Sequence, residues 1–217
     1  PIYLDERTFS NPAVALSLSK KEIIRMATIA NRSLVSAVDG FYKKDEKLLE
    51  ATQKDEKIVD ELEREITVYL ANLSQKGLSP TLSGRHTGLL NAVKDIERVG
   101  DHAENIAELA QLRIEENLPI SDFAVKELDE MYLLVSGVFK NALDALQEES
   151  KEKASMVVQT EKLIDQMEKD LRQSHLERLN KGVCYPISGV IFLDIISNLE
   201  RIADHSNNIA EVVLEYF

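Results

Sequence analysis

The chain carries almost the same twelve-residue peptide twice, about a hundred residues apart. Glu97-Arg98-Val99-Gly100-Asp101-His102-Ala103-Glu104-Asn105-Ile106-Ala107-Glu108 matches Glu200-Arg201-Ile202-Ala203-Asp204-His205-Ser206-Asn207-Asn208-Ile209-Ala210-Glu211 at eight of twelve positions. Three of the other four pairs (Val99/Ile202, Gly100/Ala203 and Ala103/Ser206) are near-isosteric. The duplication extends well beyond the peptide. A shift of 105 places Lys21-Glu22 on Lys126-Glu127, Met26 on Met131, Asp39 on Asp144, Glu56-Lys57 on Glu161-Lys162, Asp60 on Asp165 and Glu63 on Glu168. In the last segment the shift becomes 103, a two-residue deletion in the preceding loop. A chain of this kind folds as two copies of one unit, each of about 100 residues and able to bury its own core.

The unit is helical. Only 8 glycines and 5 prolines occur in 217 residues, too few for a loop-rich β fold. Residues 1–11 show no helical period and read as an extended lead-in. Asn11-Pro12 then supplies a cap and a first-turn proline for a helix to about Tyr42. A second helix runs from about Asp45 to Gln75, stopped by Gly77, and a third from Ser79-Pro80 to about Glu116. The pattern repeats: Ser121 caps a fourth helix to about Glu148, a fifth spans about Glu149 to Asn180, and Tyr185-Pro186 opens a sixth that reaches the end. The expected fold is all-α, six long helices in two pseudo-symmetric three-helix bundles: a linker over 1–14, repeat 1 over 15–117 and repeat 2 over 118–217.

The repeated peptide contains something a purely structural helix avoids. Residues four apart share a helix face, so Glu97 stacks on Asp101 and Glu200 on Asp204, each like-charge pair costing about 0.2–0.5 kcal/mol. The bland reading is a solvated acidic border, with Arg98 and Arg201 as its counter-ions. Repetition in matched positions favours a cation that offsets the repulsion, making Glu97, Asp101, Glu200 and Asp204 the main candidate metal ligands. Glu56 and Asp60, with Glu161 and Asp165, repeat the same spacing on the second and fifth helices and form a second candidate set, although Lys54, Lys57, Lys162 and Lys169 lie nearby to pair with them. Asn105 and Asn208 add amide oxygens to the list. Carboxylates with an amide suit magnesium, manganese, calcium or iron and do not select zinc. The small residue between the acids, Gly100 or Ala203, lets a neighbouring helix or the other repeat approach closely. His102 and His205, one step around the helix, suit a shared packing contact or hydrogen bond better than ligation. His86 and His175 have no counterparts in register.

Composition removes several function classes. The net charge of −12 argues against nucleic acid and against unaided binding of free phosphate. The single Cys184 excludes an internal disulfide and a thiolate cluster. No apolar run approaches the ~20 residues that span a bilayer. No histidine follows a Glu by three residues, as ferritin-like di-iron bundles require, and no Walker loop, dinucleotide fingerprint or nucleophile elbow occurs.

Asp95-Ile-Glu-Arg-Val-Gly-Asp-His-Ala-Glu-Asn-Ile-Ala-Glu108 and Leu199-Glu-Arg-Ile-Ala-Asp-His-Ser-Asn-Asn-Ile-Ala-Glu211 resemble the paired signatures of PhoU proteins, over about residues 15–217. That resemblance implies regulation of phosphate uptake, two pseudo-symmetric three-helix bundles, and multinuclear metal ligands at Glu97, Asp101, Glu200 and Asp204, the metal being iron, zinc, magnesium or manganese. It departs from the family pattern at Ala203, in place of the motif glycine, and at Asn207 opposite Glu104. The opening Pro1-Ile-Tyr-Leu-Asp-Glu-Arg-Thr-Phe-Ser-Asn-Pro-Ala-Val-Ala-Leu16 is similar to the segment following the membrane portion of bacterial sodium/phosphate cotransporters. With no initial Met, the expectation is a regulatory, non-catalytic tail at the cytoplasmic face of the membrane. Its partners would be the membrane portion of a phosphate transporter or a signalling protein, and a homo-oligomer is compatible with it. A free-standing PhoU regulator of a transporter and sensor kinase is the alternative, and a carboxylate-cluster metalloenzyme ranks third.

Overall fold

Asn11, Asp45, Ser79, Ser121 and Ser150 each accept a backbone N–H from the first turn of the helix they precede, and these caps set the helix starts. In the computed structural model, which describes Pro1 to Phe217, the helices are α1 (Pro12–Lys43), α2 (Glu46–Ser74), α3 (Pro80–Glu115), α4 (Asp122–Glu148), α5 (Lys151–Asn180) and α6 (Pro186–Tyr216). There is no strand. No helix is long and apolar enough to cross a membrane.

Two details differ from the sequence reading. The lead-in is not extended throughout: Glu6–Ser10 form a 3-10 turn, because the Asp5 carboxylate accepts the Arg7 N–H at 3.0 Å and the Thr8 hydroxyl bonds back to the Asp5 carbonyl at 2.6 Å. The lead-in is also fastened down. Glu22, fully buried on α1, accepts the backbone N–H groups of Ile2 (2.8 Å) and Tyr3 (2.7 Å). Glu149 does not open α5; it sits left-handed at φ 56° as the turn after α4, as its counterpart Lys44 does after α1 at φ 53°.

Within each repeat all three helices touch one another, α1–α2–α3 in the first and α4–α5–α6 in the second. The repeats join chiefly along α3 and α6, with α1 meeting α4 more lightly. Contacts between α3 and α6 run antiparallel: Tyr216 lies over Gly84 and Gly88, while His102 meets Asn198. The repeats therefore do not keep separate cores. One continuous apolar cluster runs through both, with Ile96 and Ile106 of α3 and Ile195, Leu199 and Ile209 of α6 among its members.

Candidate metal centre

The site in repeat 1 begins with a glycine. A Cβ placed on Gly100 would meet the Val59 side chain at 3.3 Å, so α3 presents a flat spot on which α2 rests. The close neighbour is α2 of the same repeat rather than the other repeat. Glu97 and Asp101 bracket Gly100, and Glu56 and Asp60 bracket Val59 on the face of α2 that meets it. Seating Val59 on Gly100 thus brings acid pairs from two helices together. Oxygens of Glu56, Asp60 and Asp101 lie within 4.8 Å of one another. The acids are not a fully solvated border: the Glu97 side chain is 24% exposed and that of Asp101 32%.

The crowding shows in the proton affinities. Burial first, then Asp60 and Glu104, push Glu56 up to about 7. Burial and Asp101 raise Glu97, and burial with Glu108 and Asp101 raises Glu104. The protein's own cations reach only the edges: Arg98 donates to Asp101 at 2.9 Å, stands 3.7 Å from Glu97 and is itself exposed, and Lys57 offsets part of the rise at Glu104. A set of half-buried carboxylates without enough internal counter-charge is chemically suited to a hard cation. The donors are all oxygens, which fits magnesium, manganese or iron better than zinc.

Repeat 2 rebuilds the arrangement more loosely. Burial, then Asp204 and Asp165, raise Glu161, and burial with Asp204 pushes Glu200 up to about 7. Ala203 stands where Gly100 stood, and no three acids here converge as tightly as the first triad. Lys169 takes Asp165 at 2.8 Å, and Arg201 lies 3.7 Å from Asp204. So Glu161, Asp165, Glu200 and Asp204 do face one another, but with a lysine already engaged.

Asn105 and Asn208 turn out to have other work. They sit on the seam between repeats, where Asn105 donates to Asn198 Oδ1 at 3.1 Å and Asn208 to Asp95 Oδ1 at 2.9 Å. His102 Nδ1 contacts the same Asn198 oxygen at 2.9 Å, and His205 Nδ1 the same Asp95 oxygen at 2.9 Å. Both acceptors bear only lone pairs, so each histidine donates through Nδ1. The two rings stack with centroids 5.5 Å apart. Burial, more than the bond to Asn198 can offset, lowers the His102 pKa. The matched histidines are thus the shared packing contact. Sequence reasoning missed their partners, Asp95 and Asn198, although these are related by the same shift of 103 and each precedes a histidine by seven residues, two turns along the same face.

A duplicated three-helix unit with acids clustered between its second and third helices defines the class, and comparison with known proteins supplies the family. The PhoU domain profile matches twice, over residues 23–110 and 128–213, so the chain belongs to the PhoU family. It is 29% identical over 201 residues to phosphate-specific transport system accessory protein PhoU homolog 1 of Thermotoga maritima, covering 92% of this chain and 85% of that protein. The PhoU homolog of Clostridium acetobutylicum is 28% identical over 194 residues, covering 88% of this chain and 86% of its own length. PhoU from Pseudomonas aeruginosa superposes with a TM-score of 0.84 at 22% identity, covering 90% of this chain and 93% of that one. PhoU from Streptococcus pneumoniae gives the same TM-score and identity, covering 94% and 95%. At that identity the solved structures establish the fold.

Proposed function

We propose that this chain is a regulatory accessory protein of phosphate transport that acts through metal ions held in the acidic grooves between α2 and α3 and between α5 and α6. The observation that carries the reading is the recurrence of one carboxylate constellation in both family-matched repeats, with Glu56 and Glu200 each pushed up to about 7. Glu56, Asp60, Glu97 and Asp101 would hold one ion or cluster, and Glu161, Asp165, Glu200 and Asp204 the other. A bound cation supplies positive charge that removes the carboxylate repulsion and lets an acidic groove meet an acidic or carboxylate-bearing partner surface. The partner is a phosphate transporter at the inner face of the membrane, or the signalling protein that reads it.

The accessory reading is preferred to the cotransporter tail. The relatives that align along most of their length are named as accessory proteins of phosphate-specific transport, whereas the tail reading draws on the short opening segment. The test is phosphate uptake in cells lacking the gene and complemented with wild type or with the Asp101→Ala/Asp204→Ala double variant. Wild type should restore the dependence of uptake on external phosphate, and the double variant should not. Full restoration by the double variant would remove the metal from the mechanism, and an unaltered uptake response on deletion would remove the regulatory role.

A further inference from the structure

The internal repeat supplies two grooves at the bundle ends that share part of their lining, and they differ in the rest. In repeat 1 the groove between the first turns of α1 and α3 is lined by Leu16, Leu82, Arg85 and Leu89. Phe217 also lines it, with the Arg85 guanidinium 5.0 Å and Lys20 Nζ 5.6 Å from the ring centre. Its cavity is about 120 Å³. In repeat 2 the shifts of 105 and 103 carry those four residues to Ser121, Tyr185, Ser188 and Phe192, which line a cavity of about 260 Å³. Ile114, which holds the position of Phe217 in the other copy, does not line it.

The second cavity also contains a buried donor with nothing to donate to. His175 is 3% exposed, and its Nε2 has no hydrogen-bond partner. Arg178, a donor only, approaches Nδ1 at 3.4 Å and is held by two bonds to Glu127 (2.7 and 3.1 Å), so Nδ1 accepts and the ring carries its proton on Nε2. Burial, then Arg178, lower the His175 pKa, which keeps the ring neutral. Gly189 makes room for it, since a Cβ there would fall 2.6 Å from Nε2. The imidazole stacks on Phe192 with centroids 4.7 Å apart, forming one aromatic wall of the cavity. Repeat 1 solves the same problem the other way round. His86 stands in the Gly189 position and contacts the carbonyl of Leu70, which occupies the His175 position, at 2.8 Å. The two histidines that lack counterparts in sequence are thus one feature placed on opposite helices, satisfied in repeat 1 and left without a partner in repeat 2.

We infer that the cavity at the α5–α6 end of repeat 2 binds a small aromatic molecule bearing a carbonyl or carboxylate oxygen. Its ring lies in the cavity beside Phe192, and its oxygen accepts the His175 Nε2–H. The lining matches that ligand class: Ile120, Ala124, Val183 and Phe192 are apolar, and the hydroxyls of Ser121 and Ser188 are engaged by the Ala124 N–H and the Pro119 carbonyl.

The experiment is a two-dimensional NMR titration of the full chain with benzamide, toluene and N-acetyl-phenylalaninamide as probes. Benzamide should give saturable shifts confined to residues around the cavity, including the His175 ring. Toluene, which lacks the acceptor, should bind about five- to tenfold more weakly, the worth of one hydrogen bond. His175→Leu should erase that difference, and His175→Gln, which keeps a donor, should preserve part of it. Ala124→Phe, which adds a large side chain to the cavity lining, should abolish binding while leaving the circular dichroism spectrum of the helices unchanged. Absence of saturable benzamide shifts, or equal binding of benzamide and toluene, would overturn the assignment and leave an ordered water as the partner of Nε2. Binding of N-acetyl-phenylalaninamide alone would also overturn it, in favour of an aromatic side chain from a partner protein.

Discussion

The two acidic grooves descend from one design, and they differ by a methyl group, a carboxylate and an ion pair: Lys169 binds Asp165, whereas Arg64, its counterpart, does not pair with Asp60. In repeat 1, Gly100 admits Val59 and the carboxylates of Glu56, Asp60 and Asp101 converge within 4.8 Å, with Glu104 adding charge beside them. In repeat 2, Ala203 keeps its methyl, Asn207 replaces Glu104 and Lys169 neutralises Asp165. Helix spacing decides how closely carboxylates crowd, and crowding decides how strongly a cation is favoured. The first groove should therefore be the tighter site.

Ligand removal should separate the two most strongly. Asp101→Ala should weaken metal binding at the first groove by at least about 100-fold, beyond what loss of a supporting residue costs. Asp204→Ala should empty only the weaker site, and isothermal titration resolves the two. Equal effects would mean that the grooves are equivalent despite Gly100 and Ala203. An exchange of the small residues tests the cause. Gly100→Ala should lower first-site affinity about two- to fivefold, a shift worth under 1 kcal/mol, and Ala203→Gly should raise second-site affinity by a similar factor. The helix itself should tolerate both, because Ala is the better helix former. A Gly100→Ala variant with unchanged affinity would remove interhelical spacing as the explanation.

The caps, breaks and internal shift made the fold readable in advance, because Asn11-Pro12, Ser79-Pro80 and Tyr185-Pro186 act locally. The acid pairs were readable for the same reason, since i, i+4 stacking needs no tertiary information. Which helix would meet Gly100 was not readable, because that depends on packing between α2 and α3. Asn105 and Asn208 looked like ligands because they continue the acid stripe, yet a rotation of one residue carries them to the α3–α6 seam. Glu22 gave no local sign of its burial, since its partners, the amides of Ile2 and Tyr3, lie about twenty residues away in the chain.

Proton linkage offers a smaller effect that both grooves share. In the metal-free folded chain Glu56 and Glu200 keep their protons up to about pH 7, whereas unfolded glutamates lose them near 4.5. Between those values the folded state binds more protons, so stability falls as pH rises. The metal-free melting temperature should be lower at pH 7.5 than at pH 5.5, and saturating metal should shrink or reverse the difference. Glu22 has the opposite sign: its backbone amide bonds and Arg25 outweigh burial and hold its pKa down, so its contribution is lost only as pH falls below the ordinary value of 4.5, outside that window. His102 and His175, whose pKa values burial lowers, oppose this trend inside the window, so the fall is read against a Glu56→Gln/Glu200→Gln variant, which should lose it. The same pH dependence in that variant would argue that the groove acids are already compensated.

The seam should respond least. Asp95→Asn would make the two histidine contacts alike, each to an amide oxygen, and should cost about 0.5–1.5 kcal/mol by denaturant unfolding, with metal binding unchanged. A larger loss, or loss of metal, would tie the seam to the grooves.

The most direct measurement is elemental analysis of the purified full chain beside its Asp101→Ala/Asp204→Ala variant, after dialysis against manganese or ferrous iron. The wild type should retain metal in stoichiometric amount and the double variant almost none, with helical content by circular dichroism unchanged. Stoichiometric metal in the double variant, or none in the wild type, would contradict a metal centre built on these carboxylates.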